Sequence, residues 1–307
     1  DYFPPERLAT AMSVFTSGVF VGSGLAYFIG GTVIELIGNQ GWSLPFVGEI
    51  RPWQRVFIAV SLPGFLLALL TLTIREPRRR GGHAVHAFTL SEVVAWVRRH
   101  SVAYLTFGAA IAIYSVVNFG TAAWFPPYFE RVHEWGPGKV GLFMGGATAI
   151  FGVLGVIAGG RVADWLKARG RSTSNLLILI ASAVISALIA FPLYLTQSEP
   201  VLLASLVVTN IVAAAPFGAA AAAMQEMSPR PMRGQAAAIL VFLLNFVGLS
   251  LGPPSVALVT DNVFADPAKV GLSLLIVTVV GRTVSALSVA AGLAAHRRAL
   301  SEVTATT

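Results

Sequence analysis

Cysteine is absent from the chain, which removes disulfides, thiolate metal sites and cysteine nucleophiles from consideration. Charge is scarce as well. Asp, Glu, Lys and Arg make up 11% of the 307 residues, against about 25% in ordinary soluble domains. So few charges cannot cover a surface in contact with water, so a soluble enzyme is excluded. Disorder is excluded too, because 55% hydrophobic residues with so little charge inverts the disordered composition. Catalytic spacings are missing: there is no His-Glu-x-x-His, no Gly-x-Ser-x-Gly, and no two carboxylates within apolar runs to share a proton. His83, His86, His100, His133 and His296 all fall in loops or at the ends of apolar runs. The expectation is a protein that is not an enzyme and that needs no metal or cofactor.

What the chain does have is long apolar runs. Eight of them, near 9–34, 54–74, 101–126, 138–162, 174–196, 201–224, 234–259 and 270–295, approach the ~20 residues that a helix needs to cross a bilayer. The Gly and Pro inside them would break a helix in water, but bilayer helices tolerate them where neighbours satisfy the freed backbone. The short alternating segments of a transmembrane β-barrel do not occur. The sequence predicts an all-α membrane protein with eight transmembrane helices.

The basic residues give the orientation. Fifteen of the 21 fall on one side: Arg7, the six arginines of 75–100, Arg161, Lys167, Arg169, Arg171, Arg230, Arg233, Arg297 and Arg298. Arg51, Arg55, Arg131, Lys139 and Lys269 occupy the other side. By the positive-inside rule both ends and the arginine-rich loops are cytoplasmic, in a multi-pass protein of the cell (inner) membrane. These charges are spread over loops without an aromatic platform, so nucleic acid is not an expected partner.

A shift of 226 residues lays the first span on the seventh. Pro5 then meets Pro231, Arg7 meets Arg233, and Phe20-Val21-Gly22 meets Phe246-Val247-Gly248. With Ala11, Leu25 and Val33 matched as well, eight of 33 aligned positions are identical. The repeat unit is then six helices, and both copies run in the same direction. The expected organisation is residues 1–74 as the last two helices of an N-terminal half, 75–100 as a cytoplasmic linker, and 101–307 as a C-terminal six-helix half. Four further helices are expected upstream, because the first copy of the repeat holds only its last two; the chain also opens on Asp1 without a Met. Within the linker, Thr89-Leu90-Ser91-Glu92 fits a capping box. Val93, Val94 and Val97 followed by Arg98 and Arg99 fit either a short helix on the membrane surface or a solvated linker.

Two six-helix halves joined by a basic linker resemble the major facilitator superfamily. The loop Gly160-Arg161-Val162-Ala163-Asp164, with Lys167, Arg169, Gly170 and Arg171 after it, is similar to that superfamily's motif of Gly, three residues, Asp and basic residues. It departs from the motif at Trp165, where a basic residue is usual. Within the superfamily the chain resembles the Spinster-type transporters and their bacterial relatives. This rests on Asp1-Tyr2-Phe3-Pro4-Pro5-Glu6-Arg7, on Trp124-Phe125-Pro126-Pro127-Tyr128-Phe129 closing span 3, and on Met227-Ser228-Pro229-Arg230 through Asn245-Phe246-Val247-Gly248-Leu249 to Gly252-Pro253. The resemblance implies the major facilitator fold, with these spans equivalent to helices 5–12 of twelve. It also implies a secondary active transporter that moves a small or amphiphilic, anionic or lipid-like solute by alternating access, with a proton as the coupling ion. A non-transporting receptor or scaffold of the same fold is the alternative.

Polar groups inside a bilayer are costly, so each is a candidate for a cavity wall. Tyr114, Asn118 and Thr121 recur at i, i+4 and i+7 on one helical face of span 3. Span 6 offers Thr209 and Asn210 above Pro216, and span 7 offers Asn245. In the superfamily the helices matching spans 1, 3, 6 and 7 line the central cavity; bonding between neighbouring helices is the competing role. Gly160, Asp164, Arg169, Arg171 and Arg233 are the candidates for a gating or interdomain loop, with an ordinary exposed ion pair as the alternative for Asp164. Glu226 fits a gate pairing with Arg230 or Arg233, or a solvated helix end. Glu35, near the outer end of span 1, fits a proton site or a solvated interface. Arg282 is the sharpest candidate. It lies about 12 residues, or roughly 18 Å, from either end of span 8. Its side chain cannot reach the interface, and a central charge facing lipid costs about 2.5–3.5 kcal/mol or more. It therefore faces a hydrated cavity or a partner inside the bundle, either anchoring an anionic head group or bonding the backbone.

Overall fold

The structure, a computed structural model, describes residues 5–37, 42–44, 48–73 and 89–305. The start of the linker, with Arg75 and Arg78 to Arg80, lies outside the described residues. Among those described the fold is helical. The first helices are α1 (Pro5–Ile37), α2 (Pro52–Thr71), α3 (Leu90–Arg99), α4 (Ser101–His133), α5 (Pro137–Gly146), α6 (Val153–Ala168) and α7 (Ser174–Leu195). They are followed by α8 (Glu199–Ala214), α9 (Pro216–Glu226), α10 (Arg233–Phe242), α11 (Gly248–Leu258) and α12 (Val270–Ala305). Among the described residues seven helical stretches are long and apolar enough to cross a membrane, and the remaining expected span coincides with the 20-residue α2. One feature escaped the all-helical expectation. Between α1 and α2, Trp42–Leu44 (β1) and Gly48–Ile50 (β2) pair antiparallel, with Ser43 opposite Glu49.

The prolines act unequally. Pro126 and Pro127 do not end span 3, because α4 continues to His133. Its last turns are held by packing: Tyr128 and Phe129 are fully buried, Tyr128 Oη donates to Leu193 O at 2.8 Å, and Trp124 Nε1 donates to Pro253 O at 2.9 Å. Pro216, by contrast, separates α8 from α9. Among the described residues three π-helical segments fall in the fourth and seventh spans: Ala147–Gly152, Leu243–Val247 and Val259–Phe264. The last helix runs on past 295, so that His296 is buried within it instead of ending a span.

Backbone packing divides the chain into two units: one includes α1, α2 and α5, the other α3, α4 and α6 to α12. Lipid offers helices no hydrophobic drive to associate, so close backbone contact at small residues holds them together. In the first unit a Cβ on Gly31 would sit 2.7 Å from Gly141 Cα. In the second, a Cβ on Gly120 would sit 2.8 Å from Gly252 O. The linker helix α3 is part of the second unit. Thr89 caps it as its sequence predicts: Glu92 N donates to Thr89 Oγ1, and Thr89 N donates to Glu92 Oε2 at 2.7 Å. Its valines divide, however. Val93 is buried and Val97 packs on the core, whereas Val94 is 46% exposed. Trp96 Nε1 donates to Met227 O at 3.3 Å, and Arg99 meets Glu302 at 3.0 Å. The helix docks on protein.

Candidate functional site

Arg282 on α12 is 3% exposed. The geometry that receives it comes from α4, whose Tyr114 and Asn118 lie one turn apart on the face turned to α12. Arg282 Nη2 donates to Asn118 Oδ1, and Nη1 donates to Tyr114 O at 3.4 Å. The guanidinium carbon stands 3.6 Å from the centroid of the Tyr114 ring, a cation–π stack. Nε is buried without a hydrogen-bond partner. A guanidinium carries five N–H donors and no acceptor, and the groups that meet it here are a neutral amide, a carbonyl and a ring. The site is thus a buried positive charge with neutral surroundings. Asn118 is half-buried.

The network extends beyond Tyr114. Its hydroxyl meets Ser182 Oγ of α7 at 2.8 Å and reaches Ala213 O of α8 at 3.2 Å. Ser182 Oγ donates to Val212 O at 2.5 Å. Of the six expected cavity residues, the structure thus gathers Tyr114, Asn118 and Arg282. The other three bond carbonyls of their own helices: Thr121 Oγ1 donates to Val117 O at 2.9 Å, Asn210 Nδ2 to Leu206 O at 2.9 Å, and Asn245 Nδ2 to Val241 O at 3.0 Å. Asn245 is exposed and sits in the π-helical segment Leu243–Val247. Such segments recur at functional sites. Ser115 Oγ of α4 donates to Leu244 O in the same segment.

The loop candidates lie elsewhere in this unit. α6 ends in a Schellman motif: Gly170 takes φ +81°, its N–H bonds Lys167 O at 2.9 Å, and Arg171 N bonds Leu166 O at 3.1 Å. Gly160 is half-buried, while Asp164, Arg171 and Arg233 are exposed. Arg169 stacks 3.6 Å above the Trp165 ring, so the residue that departs from the expected motif holds one of its basic members. Glu226 is not a solvated helix end. It accepts from Lys167 Nζ at 2.6 Å and from Asn175 Nδ2 at 3.0 Å, tying α9 to α6 and α7.

The family model of the Major Facilitator Superfamily matches residues 1–253. The chain belongs to the major facilitator superfamily. An MFS-type efflux pump of Mycolicibacterium smegmatis is 23% identical over 304 residues, covering 98% of this chain and 67% of the pump. Protein spinster homolog 3 of Mus musculus is 31% identical over 178 residues, 52% of this chain and 32% of that protein. The sphingosine-1-phosphate transporter SPNS2 of Mus musculus is 25% identical over 208 residues, 62% of this chain and 36% of the transporter. The chain therefore spans about a third of the length of these two Spinster proteins. A crystal structure of a bacterial homolog of the human lysosomal transporter Spinster, inward-facing and unoccupied, superposes with TM-score 0.63 at 21% identity. It covers 98% of this chain and 71% of that one. That likeness establishes the fold.

Within this facilitator's network Ser182 went unseen in the sequence, and Lys167, a member of the loop motif, was not paired there with Glu226. Ser182 lies one turn before Ser186 on α7, and both are buried, but that spacing does not say which carbonyl it serves. What points to it is Pro216, four residues beyond Val212, because proline supplies no N–H to that carbonyl.

Proposed function

We propose that this protein is a secondary active transporter that moves an anionic, amphiphilic solute across the membrane by alternating access, with a proton as the coupling ion. The observation that carries this reading is Arg282, a buried guanidinium that among the described residues meets a neutral amide, a carbonyl and a tyrosine ring. Removing a charge from water is expensive unless an opposite charge compensates it, so a passing phosphate or carboxylate finds in Arg282 a ready positive pole. Guanidinium can hold such a group by two parallel N–H bonds. Asn118, which already meets Arg282, supplies a neutral polar contact for the remainder of a head group. An amphiphilic solute agrees with the transporter of sphingosine-1-phosphate among the relatives.

Residues 1–74 belong in this reading to the end of an N-terminal half, 75–100 to a cytoplasmic linker, and 101–307 to a C-terminal half. The excess of basic residues on one side supports cytoplasmic ends in the cell membrane. Gly160, Asp164, Arg169, Arg171 and Arg233 form the loop elements that hold the halves in one state. The full-length protein in proteoliposomes should accumulate a lysophospholipid with an anionic head group under an imposed proton gradient, and the flux should stop when an ionophore collapses that gradient. Absence of gradient-dependent flux across a panel of anionic and neutral amphiphiles would favour the scaffold instead.

A further inference from the structure

The span formed by α8 and α9 is broken at Pro216. Proline has no N–H and its ring crowds the carbonyl four residues earlier, so Val212 O loses its helical partner. In lipid an unmet carbonyl is costly and must find another donor. Ser182 Oγ supplies it at 2.5 Å. The serine's only proton is then spent on Val212, which settles the direction of the next bond. Tyr114 Oη donates toward Ser182 Oγ at 2.8 Å and toward Ala213 O at 3.2 Å. The phenol thus closes the break from α4. From α6, backbone closes it: Cβ atoms built on Gly155 and Gly159 would lie 2.2 Å from Ile211 O and 2.1 Å from Ala215 O. The face of the same tyrosine ring carries the Arg282 guanidinium at 3.6 Å. One side chain therefore touches the buried cation with its ring and the helix break with its hydroxyl.

We propose that Tyr114 is a positioning residue that couples engagement of an anion at Arg282 to bending of the α8–α9 span at Pro216. This rests on the reading of Arg282 given above. An anion that draws the guanidinium toward itself removes the cation from the ring face. The ring then shifts, and its hydroxyl leaves Ala213 and Ser182. The break, held until then by Tyr114 and Ser182, is free to change its angle. The tyrosine thereby converts a charge contact in one place into backbone freedom in another.

The test uses Tyr114→Phe, which keeps the ring under Arg282 and removes only the hydroxyl. Ser182→Ala, which removes the other donor, is the second variant. Spin labels at Ala204→Cys and Gln225→Cys, on either side of the break in a stretch without native cysteine, report its angle in the full-length protein. The probe ligand is lysophosphatidic acid. In the wild type the distance distribution should be narrow without ligand and shift with it. In Tyr114→Phe the ligand-free distribution should already be broad, affinity should stay within about twofold, and turnover should fall at least about fivefold. Ser182→Ala should broaden the distribution in the same way. A Tyr114→Phe protein with the wild-type distribution and turnover would overturn the proposal. Loss of affinity in proportion to turnover would overturn it as well, since that would make Tyr114 a plain binding contact. Failure of the Arg282 reading is distinguishable: a stable Arg282→Gln protein would bind the probe as the wild type does, whatever Tyr114→Phe does to the angle.

Discussion

Adjacent glycines in α6 should respond to the same substitution with opposite signs. A Cβ on Gly159 would lie 2.1 Å from Ala215 O, 2.7 Å from its carbonyl carbon and 2.8 Å from its Cα, whereas one on Gly160 meets nothing within 4 Å. An ordinary contact begins at 3.4 Å, so α6 and the end of α8 must part by about 1.3 Å to admit the methyl group. Overpacking of this kind costs about 1–3 kcal/mol. Replacing a helical glycine by alanine returns about 0.5–1 kcal/mol in either place. Gly159→Ala should therefore lose up to about 2.5 kcal/mol net, while Gly160→Ala should gain slightly. Their difference isolates the clash, because the propensity term is shared. Thermal unfolding of the full-length protein in detergent, followed by tryptophan fluorescence, reads that difference directly. A Gly159→Ala protein as stable as Gly160→Ala would refute the backbone contact at the Pro216 break.

The same contrast should recur in the first unit, where a Cβ on Gly145 would meet Gly24 O at 2.7 Å and one on Gly146 would meet nothing. Only Gly145→Ala should lower the thermal midpoint. Thr89→Ala removes the cap of α3 and should cost that helix about 1 kcal/mol. Hydrogen exchange should quicken in its first turn, and unchanged protection would show that docking alone holds it. Glu226→Gln breaks the contact with Lys167, a side chain 58% exposed, so the stability loss should stay below about 1 kcal/mol. A much larger drop in the thermal midpoint would mean that the contact is shielded from water.

Span positions were legible because a bilayer demands length and apolarity together, and both are read directly from the chain. The ends of the spans were less so. Whether α4 stops at Pro126 depends on Tyr128, which bonds a carbonyl 65 residues away, and no local pattern reports that. Arg282 stood out for a physical reason, since a charge at mid-membrane has to be received by something. Its partners, Asn118 and Tyr114, were legible as one face of a helix four residues apart. Their meeting with α12 was not. Val94 misled because Val93 and Val97 lie one turn apart on the docked face while Val94 turns away from it, and a run of valines does not reveal which side docks. Glu226 finds Lys167 and Asn175 across 59 and 51 residues, so its neighbours in sequence, Arg230 and Arg233, suggested a different pairing. Thr121, Asn210 and Asn245 were chosen for polarity alone, which leaves open whether such a group serves a cavity or its own helix.

The account stands on the charge of Arg282, and affinity tests that most directly. Binding of lysophosphatidic acid and of the monoacylglycerol that lacks its phosphate should be measured on the full-length protein and on Arg282→Gln. A charge-assisted bond contributes about 1.5–3 kcal/mol, so the wild type should prefer the phosphate by at least about tenfold. Arg282→Gln should bind both alike while unfolding near the wild-type temperature. A stable Arg282→Gln protein that keeps the full preference for the phosphate would contradict the account and leave Arg282 as a bond between α12 and α4.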